Sequence, residues 1–262
     1  MSTLALAVRD SHTMVRRQLK RLLRYPSMTV QLVITPVVML LLFVYVLGGT
    51  LGAGLGGGRA GYVNYVLPGI LMMSAAIAAT GTAVMVATDM TEGIIARFRT
   101  MRISRASVLT GHVVGSVVQQ LLGMAVLIGI ALAVGFRPNA GFVEWLAAIG
   151  LLALFVLAVT WLSVALGLRA STPEAAGNAP MPLVLLPFLG SGFVPTGSMP
   201  AGLRWFAEYQ PFTPIMETVR GLLLGGAIGN NGVIALAWCL GIGAVSYLWA
   251  RSTFNKPQGL KA

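Results

Sequence analysis

The sequence predicts an all-α integral membrane protein, on three observations. Only 10% of its 262 residues are charged, where a soluble domain carries about a quarter. Hydrophobic residues make up 56% of the chain, and the mean hydropathy is +0.83. The charges are also spaced so as to leave six uncharged stretches, at 28–58, 60–88, 106–136, 145–168, 175–203 and 221–250. Each is at least 24 residues long, and about 20 apolar residues in a helix cross a ~30 Å hydrocarbon core. The net charge of +11 would point to nucleic acid in a soluble protein. Here the cations lie between apolar spans, so they read as topology signals, and no nucleic-acid partner is expected. One cysteine, Cys239, excludes an internal disulfide and a cysteine metal cluster.

The elements follow in chain order. Residues 1–26 read as a basic amphipathic helix, with Val15, Leu19 and Leu22 on one stripe and Arg17, Arg21 and Arg24 on another. Such a helix lies in the membrane interface, with Arg16, Arg17, Lys20, Arg21 and Arg24 toward lipid phosphates or an acidic partner. The apolar run behind it is too long for a signal-peptide core and lacks a small-residue cleavage site. The first span, 28–48, holds Pro36, which removes a backbone donor and predicts a kink. Eight glycines among the fourteen residues of 48–61 predict a mobile external linker. The second span, 62–88, carries Leu67-Pro68-Gly69, where a bend is expected.

Residues 89–105 differ from their neighbours, with Asp89, Glu92, Arg97, Arg99, Arg102 and Arg105 close together. Each charge would cost about 2.5–3.5 kcal/mol at the bilayer centre, so the segment lies outside the membrane. The third span, 107–135, contains Gln119 and Gln120; amides in lipid stitch helices together or meet a polar group of a substrate. The fourth span is 143–168. In the fifth, 175–195, Pro180, Pro182, Pro187 and Pro195 combine with Gly190 and Gly192 to predict a broken helix, which survives at membrane depth only when buried in protein or lining a cavity. Residues 196–226 carry Trp205, Phe206, Tyr209 and Phe212 and read as a re-entrant or interfacial helical element, its aromatics at headgroup level. Glu217 and Arg220 stand one turn apart, in position to pair. The sixth span is 229–250. Gly111 with Gly115, and Gly221 with Gly225 and Gly229, have the small-xxx-small spacing of close helix packing.

Counting Lys and Arg on alternate sides puts 14 of the 18 with the N-terminus, the 89–105 loop, Arg169 and the tail. Only Arg59, Arg137, Arg204 and Arg220 fall opposite, which places both termini in the cytoplasm. Catalytic chemistry is poorly supplied. The only lysines are Lys20, Lys256 and Lys261, none after a glycine-rich loop, so the chain carries no P-loop of its own. His12 and His112 stand on different elements and form no metal motif. Gly190-Ser191-Gly192 faintly resembles an intramembrane serine protease, but Leu189 stands where such a motif has glycine, and His112 would have to approach. No carboxylate lies in any of the six stretches, which argues against a proton or sodium relay.

Three segments resemble one family. Leu67-Pro68-Gly69-Ile70, then Asp89, Glu92-Gly93-Ile94 and Arg97-Phe98-Arg99, are similar to the second helix and cytoplasmic coupling helix of ABC-2 type export permeases. Phe193-Val194-Pro195, Met199-Pro200, Tyr209-Gln210-Pro211-Phe212-Thr213-Pro214 and Arg220 resemble the signature between that family's fifth and sixth helices. The basic N-terminal helix is similar to its interface helix. The resemblance runs from about residue 9 to 250, and is nearest to the bacterial daunorubicin-resistance branch. Two departures stand out: Met101-Arg102, where many relatives have a proline, and Gln210, where asparagine is common.

The resemblance implies a bacterial plasma (inner) membrane protein without a catalytic site of its own. It implies a permease subunit that pairs with a second copy or paralogue and binds two separate ATPase subunits, which hold the ATP and Mg. Asp89, Glu92, Gly93, Arg97, Arg99 and Arg102 would then act as the coupling segment. An uncharged pathway, expected along the first, second and fifth spans with Gln119 and Gln120 as path residues, suits an amphipathic drug, lipid or glycolipid. The competing reading is a non-ABC scaffold or an ATPase-independent flippase or channel. An ATPase in contact with 89–105 separates the two.

Overall fold

The computed structural model describes residues 26–55, 57–91 and 105–255. These fold into helices, with no strand among the described residues. The first rod runs from α1 (Pro26–Leu41) through a wider π turn (Leu42–Leu47) into α2 (Gly48–Gly54). Pro36 sits inside α1, and the helix continues past it; the irregularity appears as the π turn just downstream. The long helix α3 (Gly58–Thr91) passes through Pro68 without interruption, starting four residues before the expected Tyr62. Then come α4 (Arg105–Val134), α5 (Phe142–Arg169), two short helices α6 (Pro173–Asn178) and α7 (Met181–Leu185), α8 (Ala201–Tyr209), α9 (Phe212–Leu224) and α10 (Asn231–Asn255).

Five helices are long and apolar enough to cross a membrane: Val33–Gly54, Gly58–Thr91, Val113–Val134, Phe142–Arg169 and Asn231–Phe254. The expected span at 175–195 is not among them. Its four prolines lack the backbone N–H that helix propagation needs, and beyond α7 the chain proceeds through turns to Val194. It still travels far along α3. Ala176 packs with Ala83 and Ala87, whereas Gly192 meets Gly69. Those contacts lie 14 to 18 residues apart on α3, about 24 Å at 1.5 Å per residue.

Burial separates centre from periphery. The apolar windows of α3 and α5 are 61% and 56% buried, against 22% for each of the other three candidate spans. The outer helices turn Ile34, Val38, Leu122, Val126, Val233 and Leu240 outward, the pattern of segments solvated by lipid or by a partner. Helices α3 and α5 approach closely at Gly167, where a Cβ would lie 2.5 Å from the Ala83 carbonyl oxygen. Polar stitches cross the apolar interior: the Thr82 hydroxyl donates to Ser116 Oγ at 3.2 Å, and Gln120 Nε2 donates to Thr160 Oγ1 at 3.3 Å. Each contributes about 0.6–2 kcal/mol in lipid. On the outside of α5, α10 packs with Trp161 edge-on to Tyr247.

Two glycine expectations are corrected. The segment read as a mobile linker is helical up to Gly54 and again from Gly58. Gly52 serves close approach, since a Cβ there would strike the Gly58 backbone, and Gly58 takes the left-handed φ of +56°. Gly225 (φ +79°) and Gly229 (φ +53°) are not a packing stripe either. Gly225 terminates α9 in the left-handed conformation, one that glycine adopts at no steric cost.

The basic helix carrying Arg16, Arg17, Lys20, Arg21 and Arg24 lies outside the described residues, as do Glu92, Gly93, Arg97, Arg99 and Arg102. Asp89 lies in the last turns of α3 and is buried. It is held within the chain rather than presented on its surface.

Candidate functional site

A broken segment at membrane depth must have its carbonyls and N–H groups satisfied by the protein around it, because lipid offers no partner. In this chain three side chains of the 210–220 region do so. Gln210 Nε2 donates to the Leu186 carbonyl at 3.3 Å and to Thr213 Oγ1 at 3.0 Å, while its Oε1 accepts from the Phe212 N–H. Thr213 Oγ1 in turn accepts from the Ser191 N–H at 3.3 Å. Arg220 reaches furthest: Nη2 donates to the Ser191 carbonyl at 2.8 Å and to the Tyr65 carbonyl of α3 at 3.0 Å. Its Nη1 pairs with Glu217 Oε1 at 2.6 Å, and its guanidinium stacks 4.0 Å from the Tyr65 ring centre. One arginine thus joins α9, the broken segment and α3.

The far end of the segment is fixed separately. Tyr62 OH donates to the Phe193 carbonyl at 3.3 Å. The Phe193 ring sits 4.4 Å from both Phe43, in the π turn, and Phe188. Gly69 allows the contact with α3: a Cβ there would lie 2.6 Å from the Gly192 carbonyl oxygen and 2.8 Å from its Cα. The Gly69→Ala variant is therefore expected to push the broken segment off α3 and destabilise the protein by about 1–3 kcal/mol. Thermal unfolding in lipid nanodiscs reads this directly, with Gly81→Ala, which meets nothing within 4 Å, as the neutral control.

The signature residues divide by role. Phe193, Gln210, Pro214 and Arg220 are buried or clamped, and Pro211 precedes α9. Pro195 and Pro200 flank a single 3₁₀ turn, Thr196–Ser198, and open α8. Tyr209 is 65% exposed, and with Trp205 and Phe206 it forms an outward aromatic face on α8, on which Arg204 and Glu208 also pair. Glu217–Arg220 forms as the spacing predicts, but half-buried and tied to two backbone carbonyls rather than as a surface pair. Tyr62 and Tyr65 were not legible as members of the clamp; their one-turn spacing just before Pro68-Gly69 is the signal that marks them. Ser191 contributes backbone groups only. Its hydroxyl is buried and has no hydrogen-bond partner among the described residues.

The second polar site surrounds the glutamine pair. A cavity of about 30 Å³ lies between the first rod (Val33, Pro36), α3 (Ser74, Ala78) and α4 (Gln119, Gln120, Gly123). Gln120 stitches α4 to α5 through its Nε2, and its side chain also lines the cavity. The cavity is lined from the first, second and third spans.

Comparison with known proteins gives this arrangement a context. The daunorubicin resistance ABC transporter permease protein DrrB1 of Streptomyces coeruleorubidus is 28% identical over 244 residues, covering 92% of this chain and 84% of the relative. The probable doxorubicin resistance ABC transporter permease protein DrrC of Mycobacterium tuberculosis is 24% identical over 177 residues, 68% of this chain and 64% of the relative. Residues 10–224 match the family described as ABC-2 type transporter, a stretch that takes in the broken segment, the clamp and the glutamine pair. The chain belongs to the ABC-2 type transporter family, as a membrane-spanning, all-helical member.

Proposed function

We propose that this chain is the transmembrane permease subunit of an ATP-driven exporter, moving an amphipathic drug, lipid or glycolipid out of the cytoplasm or the inner leaflet. The observation that carries the reading is the family match over residues 10–224, together with relatives named as drug-resistance permeases. No glycine-rich lysine loop occurs in the sequence, so two separate ATPase subunits would bind the ATP and Mg. A second copy of the chain, or a paralogue, completes the transmembrane unit. The chain crosses the bacterial inner membrane six times, counting the broken segment that climbs along α3 as the fifth crossing. Both termini are cytoplasmic, as the distribution of Lys and Arg favours.

Each part then has a physical task. The segment 89–105 joins two long helices that are tied by the Thr82–Ser116 hydrogen bond and by Val86 and Val113 in one buried cluster. A push on that segment moves α3 and α4 as a pair rather than bending one of them. The clamp carries the motion of α3 to the broken segment and α9 at the external end, through Arg220 and Tyr62. The exposed aromatics of α8 sit at the outer headgroup level, and the basic N-terminal helix at the inner one.

Gentle purification of the tagged protein from its own membranes, followed by mass spectrometry of stoichiometric companions, tests the reading. A partner near 1:1 carrying a Walker A motif is expected, with ATPase activity that rises with substrate. Absence of any such ATPase, with crosslinking in agreement, overturns it in favour of a scaffold or an ATPase-independent flippase.

A further inference from the structure

We infer that the cavity between α1, α3 and α4 is a binding site for a neutral hydrogen-bond donor, the hydroxyl group of an amphipathic molecule whose apolar remainder stays among the lipid-facing helices. This deepens the exporter reading by naming the chemistry of its cargo, and its biological use rests on that reading.

The specificity for a donor follows from how the protons are already committed. The Thr160 hydroxyl donates to the Val156 carbonyl at 2.7 Å, so toward Gln120 it can only accept. The amide atom facing it must then be Nε2, at 3.3 Å, which fixes the orientation that amide groups usually leave ambiguous. Gln120 Oε1 is left as a buried acceptor without a partner among the described residues, on a residue that is only 7% exposed. Ser74 repeats the pattern: its hydroxyl donates to the Leu71 carbonyl at 2.7 Å, leaving its oxygen to accept. Two of the three polar residues around the cavity thus present acceptors. The third, Gln119, makes no hydrogen bond to another described residue and can turn to complete the shell.

Size and charge narrow the ligand further. A water molecule needs about 10–15 Å³, so a cavity of about 30 Å³ has room for a small polar group such as a hydroxyl, not for a whole amphipathic molecule. No carboxylate lines the site, and an unpaired cation at this depth would be costly, which favours a neutral hydroxyl. The approach is between α1 and α4. Gly123 provides the room there: a Cβ added to it would already be in van der Waals contact with Val33 Cγ2, at 3.7 Å, so a larger side chain would close the approach. A buried acceptor in an apolar medium is stabilised by a donor, which the hydroxyl of the ligand supplies.

The test uses the full chain in lipid nanodiscs, with its co-purifying subunits retained. The probes are a long-chain primary alcohol carrying a diazirine near its hydroxyl, and the methyl ether of the same compound, which cannot donate. After photolysis, mass spectrometry counts labels on α1 and α4 around Val33 and Gly123. The alcohol should label there about fivefold more than the ether, the equivalent of about 1 kcal/mol for one hydrogen bond, while α10 labels equally with both. Gln120→Leu should bring the ratio toward one, Ser74→Ala should lower it, and Gly123→Leu should block both probes. Because the Ser74 hydroxyl bonds only within its own helix turn, to the Leu71 carbonyl, its variant and Gly123→Leu carry the test if Gln120→Leu fails to fold. Equal labelling by alcohol and ether in the native protein, or a ratio unmoved by the variants, overturns the site. That failure leaves the exporter reading standing, because labelling requires no ATP; a missing ATPase sinks the exporter reading without altering the ratio.

Discussion

Replacing Arg220 by methionine is expected to lower the stability of the protein by about 3–5 kcal/mol, the range for removing one partner of a buried, hydrogen-bonded ion pair. The side chain is only 12% exposed, and its partner Glu217 is 34% exposed. Methionine matches the length of the arginine stem but supplies no donor. Glu217 then loses its cation, and the carbonyls of Ser191 and Tyr65 lose the Nη2 that serves both. Glu217→Gln removes the charge but keeps an acceptor, so its cost is expected to be smaller, about 1 kcal/mol. The double variant should be less damaged than the sum of the two, since the stranded carboxylate is gone. Lysine at 220 keeps the charge but not the planar fork that reaches two carbonyls at once, and should recover only part of the loss. Chemical denaturation in nanodiscs measures all four proteins. An Arg220→Met variant as stable as the native chain would mean that the broken segment is held by Gln210, Thr213 and Tyr62 alone.

The helical class was legible because the cost of placing charge in hydrocarbon forces a visible rhythm on Asp, Glu, Lys and Arg. Five of the six uncharged stretches became long helices for that reason. The irregular fifth was legible too, since four prolines within sixteen residues leave too few N–H groups for a helix. What holds it was not legible. Arg220 and Tyr65 are separated by 155 residues, and Tyr62 and Phe193 by 131; no local pattern reports which side chain will meet which carbonyl. Glycine misled in both directions. Gly52 and Gly58 looked like flexibility and are instead a tight helix reversal, whereas Gly225 and Gly229 looked like packing and are turns. The glutamines were recognised as polar groups needing partners, but only the positions of Thr160 and Val156 reveal that one acceptor is left over.

The largest functional effect is expected from reversing the charges between α3 and α4. In Glu92→Lys or Arg97→Glu chains the protein should reach the membrane in normal amount, because neither residue belongs to a span and the helix-to-helix contacts of Thr82, Ser116, Val86 and Val113 are untouched. Transport should nevertheless fall by more than about tenfold, the effect of losing ~1.4 kcal/mol or more of contact free energy. The reason is the placement of charge. Between Thr91 and Arg105 the chain has one carboxylate, Glu92, and three arginines, 97, 99 and 102, none of which can enter hydrocarbon at reasonable cost. On the exporter reading they face the cytoplasm, where charge pairing with an ATPase would set register and orientation more than it adds raw affinity. Asp89, buried in the last turns of α3, stands at the helix end from which this segment departs, so on the exporter reading a misregistered partner would push on α3 and α4 at the wrong angle. The measurement is paired: substrate export from cells, and substrate stimulation of the ATPase in the purified complex. Both should be lost while basal ATPase activity persists, and a compensating reversal on the ATPase surface that faces residue 97 should restore them together. Export at the native rate in both reversed chains would remove residues 89–105 from the coupling path and leave them as topology signals alone.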